Sequence, residues 1–260
     1  MRVSSVVCRY EDWNADWFKS WAKRFGLPID GPPHRKHWEF CALAQALEER
    51  GFLKPGNCGL SFASGREWLP SMFAACGCNI LATDLADEGK WQGQHASSLD
   101  DLFYEWIVDR DIFDRHVKFQ PTDMTNIQGI DREKFDFLWS TCSLEHLGSI
   151  DAGIQFIANA MDHVKKGGIA VHTTEFNISS NDDTLLSGDC VIYRRKDIQK
   201  LNDVLRKKRC GLEFPNFDAG CHPYDLDYDV PPFMQPGKPH IKLELGGFVS
   251  TSILLVCHKA

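Results

Sequence analysis

The chain has 260 residues, 43% hydrophobic, 12% aromatic and 25% charged, with 29 Lys and Arg against 36 Asp and Glu, a net charge of −7. Those values exclude disorder, collagen-like repeats and coiled coil, and the length suffices for a full core, as one α/β domain or two small ones. The acidic balance argues against a nucleic-acid binder with a global basic face, and no run approaches the roughly 18 apolar residues of a membrane helix. The start, Met1 to Arg9, has too short an apolar run for a signal peptide, so a soluble cytoplasmic protein is expected. The ten cysteines form no Cys-x-x-Cys pair, and most lie in apolar runs. They read as reduced thiols that pack as small hydrophobes.

In chain order, Trp13, Trp17 and Trp21 fall at i, i+4 and i+8, with Phe18 and Phe25 beside them. That stripe predicts an N-terminal helix docked on the core, or a lid whose rings stack on substrate. Phe40, Leu43, Ala44 and Leu47 make an amphipathic helix with Gly51 as its stop. The run 58–62 predicts a strand, Leu69, Met72, Phe73 and Cys76 a helix ending at Gly77, and 80–83 a second strand. Leu99, Leu102, Phe103 and Trp106 predict a helix N-capped by Ser97 or Ser98. Strands follow at 117–119 and 135–139, then a helix through Ile154, Ile157, Ala158 and Met161 that ends at Gly167-Gly168, then a strand at 169–173. Ile198, Leu201 and Leu205 mark a last helix, whose basic end Arg206 to Arg209 complements its dipole. Strands 241–245 and 252–256 about Gly246-Gly247 predict a hairpin. Strands alternating with helices imply a parallel sheet covered on both faces, with an antiparallel edge from the hairpin. The proline-rich stretch 221–239 reads as an ordered loop over one end of the sheet.

The first strand runs into Ser61-Phe62-Ala63-Ser64-Gly65, a turn of small residues before a helix, where a ligand can approach the backbone closely. Asp84 ends the second strand about 20 residues beyond Gly65, the position from which a Rossmann-type site binds ribose hydroxyls. Asp123, past the third strand, is placed to accept from an adenine amino group, with Met124 against the ring, or to cap a turn. The fourth strand ends in Ser140-Thr141-Cys142-Ser143-Leu144-Glu145-His146.

Five pieces in this order resemble the class I S-adenosylmethionine-dependent methyltransferases over residues 35 to 175: Gly59 to Glu67, Ala82 to Leu85, Thr122 to Met124, Phe135 to Leu138 with Ser143 to His146, and Val164 to Gly168. The resemblance implies a seven-stranded, mostly parallel Rossmann-like sheet with helices on both faces. It implies S-adenosyl-L-methionine as cofactor, with contacts from Ser61, Phe62, Ala63, Gly65, Asp84, Leu85, Asp123, Met124 and Ser140. The family's glycine-rich turn maps onto Ser61, Ala63 and Gly65, of which only Gly65 is glycine, and Gly59 stands where many relatives carry an acid. One domain is expected, with a helical extension at 1–34, the cofactor-binding core at 35–175, and a substrate-side insertion and hairpin at 176–260. Segments Cys190 to Asp197 and His222-Pro223 through Thr251-Ser252 are similar to bacterial methyltransferases of surface-polysaccharide pathways.

These features imply methyl transfer to a small molecule or glycan at a hydroxyl oxygen, under loops 176–196 and 224–234. His146 is the candidate base, with Glu175 and His222 as rivals. His172, inside a strand, and Asp136 read as structural, and Asp182-Asp183 lacks a second carboxylate set, so no metal is expected. A nicotinamide-dependent oxidoreductase would want more true glycines in the turn. That reading, and a non-catalytic module of the same fold, remain as alternatives. Neither nucleic acid nor membrane is expected as a partner.

Overall fold

The computed structural model describes residues 2–85 and 93–260. Five parallel strands grow from the short apolar runs: β2 (Cys58–Ser61), β3 (Asn79–Asp84), β4 (Val117–Pro121), β5 (Phe135–Thr141) and β6 (Val164–Asn177). They lie in the order β4-β3-β2-β5-β6, so the chain reverses its direction of travel on either side of β2. Such a reversal opens a crevice at the carboxyl ends of the strands. β9 (Phe248–Lys259) runs antiparallel to β6. Three short strands share its other edge in succession: β8 (Leu243–Leu245), β1 (Val6–Val7) and β7 (Cys210–Leu212). The described strands thus number nine in one sheet where seven are expected. The hairpin about Gly246-Gly247 is present as β8 and β9. β1 and β7, of two and three residues, are too short for any alternation to register.

Alternation along the strands divides the core. Phe137, Trp139, Ile169, Val171, Leu254 and Val256 face one cluster, while Leu138, Ala170, Ile253, Leu255 and Cys257 face the other. Helices α1 (Asp16–Phe25), α2 (Arg35–Glu48) and α3 (Leu69–Ala75) cover the first face. α5 (Ile150–Ala160) and α6 (Arg195–Lys207) cover the second, while α4 (Arg110–His116) packs on α3 and β4. Phe18, Trp21 and Phe25 of α1 are buried, and Trp21 donates to Gln45 of α2 at 3.0 Å. Trp13 belongs to the preceding 3₁₀ turn, Tyr10–Asn14, which breaks the expected single stripe. The stripe docks on the core; none of Trp13, Trp17 or Trp21 lines the cavity described below.

Two helix expectations need correction. Leu99–Leu102 is only a 3₁₀ turn. Ser98 and Asp101 close a capping box at its start, and Ser71 Oγ captures the Tyr104 amide at 3.1 Å, which takes the chain out of the helix. α5 ends at Ala160 and passes into a 3₁₀ turn, so Gly167-Gly168 does not cap it but lies inside β6. There a Cβ on Gly168 would come within 2.5 Å of the Asp136 carbonyl, where the β5–β6 register shifts. Gly59 has a packing reason too: the Phe137 ring fills the space of its missing side chain at 2.5 Å. Asp136 is structural, accepting from the Cys58 amide and pairing with Lys165. All ten cysteines are free thiols. No helix among the described residues is long and apolar enough to cross a membrane.

Candidate active site

A cavity of about 860 Å³ opens at the carboxyl ends of β2, β3, β5 and β6. One end is built from backbone. After β2 the chain turns through Ala63 and Gly65 with φ of 49° and 54°, so the alanine takes a conformation that glycine favours. Ser64 holds the turn to β3, its amide and hydroxyl both donating to the Thr83 carbonyl at 3.0 and 3.1 Å. Asp84 then gathers three amides: Gly65 and Ala96 donate to Oδ2 at 2.8 and 2.9 Å, and Leu85 donates to Oδ1 at 2.8 Å. One carboxylate therefore fixes the turn, its own strand end and the segment at 94–96. The Gln94 carbonyl accepts from the Arg66 amide at 3.1 Å and lies 3.2 Å from where a Cβ on Gly65 would sit. Asp123 accepts from the Thr125 amide at 2.7 Å, an Asx turn that leaves it on the cavity wall with Met124.

The other end is built from buried side chains. β5 closes at Thr141, and Cys142 follows with φ of 41° before the 3₁₀ turn Leu144–His146. Glu67 reaches between the two ends, accepting from Trp139 Nε1 at 2.7 Å and Thr141 Oγ1 at 2.6 Å. Burial pushes its carboxyl up to about 8 despite those bonds, so it is largely protonated at neutral pH. Arg35, buried at the start of α2, donates to Glu175 of β6 and, at 2.9 Å, to Ser252 of β9. Ser250 donates to the other Glu175 oxygen. Glu39, one turn along α2, accepts from Ser252 at 2.5 Å, Thr173 at 2.9 Å and the Cys142 thiol at 3.1 Å. Burial alone would raise Glu39, but Lys36, Arg35 and those donors outweigh it and hold it below the usual carboxylate value. Burial, reinforced by Glu175, moves Glu145 the opposite way, upward. Burial beside Glu39 likewise raises the Cys142 thiol well above its ordinary value, which keeps it a donor rather than a thiolate. Cys142, Glu145 and Glu175 bring ligand-type atoms within 4.8 Å of one another, but the Arg35 guanidinium already holds Glu175.

Of the residues singled out in the sequence, Ala63, Gly65, Asp84, Leu85, Asp123, Met124, His146 and Glu175 line this cavity. Four other expected residues do not reach it. Ser61 and Phe62 are buried beneath the turn, Ser61 bonded to Ser64 and Phe62 packed edge-on to Phe156. Ser140 is buried one residue short of the strand end and pairs with His172 Nδ1 at 2.8 Å. His172 is the expected core histidine, its pKa driven down to about 3 by burial. His222 caps the short helix α7 (Pro223–Leu226) and stacks on Tyr10 at 4.0 Å, away from the cavity. The reason is a buried anchor: Asp225 accepts from the Tyr10 amide and pairs with Lys242 at 3.4 Å, fastening that segment to the N-terminal turn. The loop at 224–234 still contributes Phe233 to the cavity, and 176–196 contributes Cys190. Arg35, Glu67, His95, Glu145 and His240 line it without having been expected. For Arg35 and Glu39 there was a signal, because both fall on the stripe that α2 continues with buried Ala42 and Ala46.

No family model matches the chain, and no curated protein matches it. Among solved structures it is similar to an S-adenosylmethionine-dependent methyltransferase from Mesorhizobium loti, at 10% identity and a TM-score of 0.51, over 82% of this chain and 96% of that one. It is also similar to phosphoethanolamine N-methyltransferase 2 of Haemonchus contortus in complex with S-adenosyl-L-methionine, at 12% identity and a TM-score of 0.51, over 93% of this chain and 56% of that one. At such identities the likeness is one of fold. The chain has the Rossmann-like fold of S-adenosylmethionine-dependent methyltransferases.

Proposed function

We propose that the protein is an S-adenosylmethionine-dependent methyltransferase acting on a hydroxyl of a small molecule or glycan. The observation that carries this reading is the turn at Ala63–Gly65 locked to Asp84 on the wall of a cavity at the sheet's switch point. Three features fit the cofactor. The cavity has the volume of a small-ligand site, Gly65 leaves room where a side chain would crowd Gln94, and the buried His95 ring and Ser143 hydroxyl have no hydrogen-bond partner among the described residues. When bound, adenosylmethionine supplies a methyl group on a sulfonium, ready for displacement in line with the acceptor.

The chain's own contribution is to align and to take a proton. Asp84 and the turn hold the cofactor end, with Met124 and Leu85 offering apolar surface to a base. His146 is the proposed base. Its Nδ1 lies 2.7 Å from the Asp189 carbonyl, which can only accept, so in an uncharged ring Nε2 is the acceptor. Glu175 is committed to Arg35 and Ser250 and acts instead as a positioning residue. The similarity of the Cys190 and His222 segments to polysaccharide methyltransferases supports a glycan among small acceptors, and the net charge of −7 disfavours nucleic acid. A screen of acceptors with labelled adenosylmethionine, read by product mass, tests the reading. His146→Ala is expected to cut turnover by roughly 10²- to 10⁴-fold while the cofactor still binds. Unchanged turnover would remove His146 from that role.

A further inference from the structure

His95 is buried on the cavity wall, and neither of its ring nitrogens has a hydrogen-bond partner among the described residues. A buried polar ring left wholly unpaired is costly and uncommon in a native fold, so its presence calls for an absent partner. The segment that carries it is not loose. The Ala96 amide is held by Asp84, and the Gln94 carbonyl is held by the Arg66 amide, so both neighbours of His95 are fixed against the small-residue turn.

The hydrogen-bonding capacity of Asp84 identifies what the ring awaits. A carboxylate offers about four lone-pair sites, and three of those on Asp84 are taken by the Gly65, Leu85 and Ala96 amides. Asp84 can therefore accept one further hydrogen bond, whereas the vicinal diol of a ribose brings two hydroxyls. A nitrogen of an uncharged imidazole, donor or acceptor according to the tautomer, can pair with the hydroxyl that Asp84 leaves over, since a hydroxyl both gives and receives. A ligand carboxylate would suit the place poorly, because it accepts only and would lie beside the Asp84 charge. We propose that His95 is a binding residue for the ribose diol of the cofactor, sharing that diol with Asp84. This rests on the adenosylmethionine reading above.

The test is calorimetry with S-adenosylhomocysteine and with its 2′-deoxy and 3′-deoxy analogues, on wild type, His95→Leu and His95→Gln, together with the melting temperature of each ligand-free protein. His95→Leu is expected to lose roughly tenfold in affinity for S-adenosylhomocysteine, the worth of one hydrogen bond in a buried site. That loss should vanish against one of the two deoxy analogues. His95→Gln, which keeps a donor and an acceptor, should retain most of the affinity. Without ligand, His95→Leu should melt close to wild type, because the ring makes no hydrogen bond to the described protein residues. Unchanged affinity in His95→Leu, an equal loss against all three ligands, or a lower ligand-free melting temperature in both variants would overturn the assignment. Failure of wild type to bind any of the three would instead refute the adenosylmethionine reading itself.

Discussion

The two ends of the cavity solve the problem of burying polarity in different ways. At the end built on the small-residue turn, Asp84 meets backbone amides from Gly65, Leu85 and Ala96, groups that need an acceptor wherever the chain is buried. At the other end, carboxylates meet side chains brought from afar: Arg35 reaches Glu175 across 140 residues of sequence, and Ser252 reaches Glu39 across 213. The first kind of site is inexpensive and tolerant, since amide donors exist whatever the sequence. The second depends on every partner, because a buried charge that loses its counter-charge has nowhere to go. The end built from buried side chains should accordingly be the more fragile in stability, and the turn end, proposed to hold the cofactor, the more decisive in ligand affinity.

Arg35→Met breaks the contrast most severely. It leaves Glu175 without its buried cation and Glu39 with Lys36 alone, and is expected to cost about 3–5 kcal/mol in denaturant unfolding. A cost under about 1 kcal/mol would show that the network is not a charged one. Asp84→Ala should next remove about 1–3 kcal/mol of S-adenosylhomocysteine binding, read by calorimetry, with some loss of stability as three amides lose their acceptor. If affinity is unchanged, Asp84 only shapes the turn.

Glu67, between the two ends, sharpens the comparison through pH. Its folded pKa of about 8 lies above the ordinary carboxyl value of 4.5, so between those values the native state keeps a proton that the unfolded chain has released. Its contribution to stability is complete below 4.5 and is lost as pH rises towards 8. The limiting slope is about 1.4 kcal/mol per pH unit for one proton. Glu67→Gln should abolish that slope, its advantage over wild type growing with pH across this window. Parallel stability curves would mean that Glu67 ionises normally. The smallest effect belongs to Ala63→Gly, which relieves a positive φ of 49° at some cost in chain entropy. A net gain of about 0.5–1 kcal/mol is expected by thermal melting. A loss would show that the Ala63 methyl packs usefully.

The same contrast explains what the sequence disclosed. The turn, Asp84 and the five parallel strands were legible because each rests on local spacing: a small-residue turn after an apolar run, and an acid at the next strand end. Arg35 and Glu175 were not legible as partners, because only the sheet brings α2 against β6 and β9. Misplaced residues failed for equally concrete reasons. Ser140 sits one strand residue too early and faces His172, and His222 follows the Asp225–Lys242 anchor towards the N-terminal turn. β1 and β7 pair with β9 through two or three residues each, below the length at which alternation carries information.

The proposed function requires that the cavity bind adenosylmethionine. Titration of the intact chain with S-adenosylmethionine, S-adenosylhomocysteine and NAD by calorimetry tests it most directly. One saturable site per chain is expected for the first two ligands and none for NAD. Absence of binding to either sulfur nucleoside at millimolar concentration, or binding of NAD in their place, would contradict it.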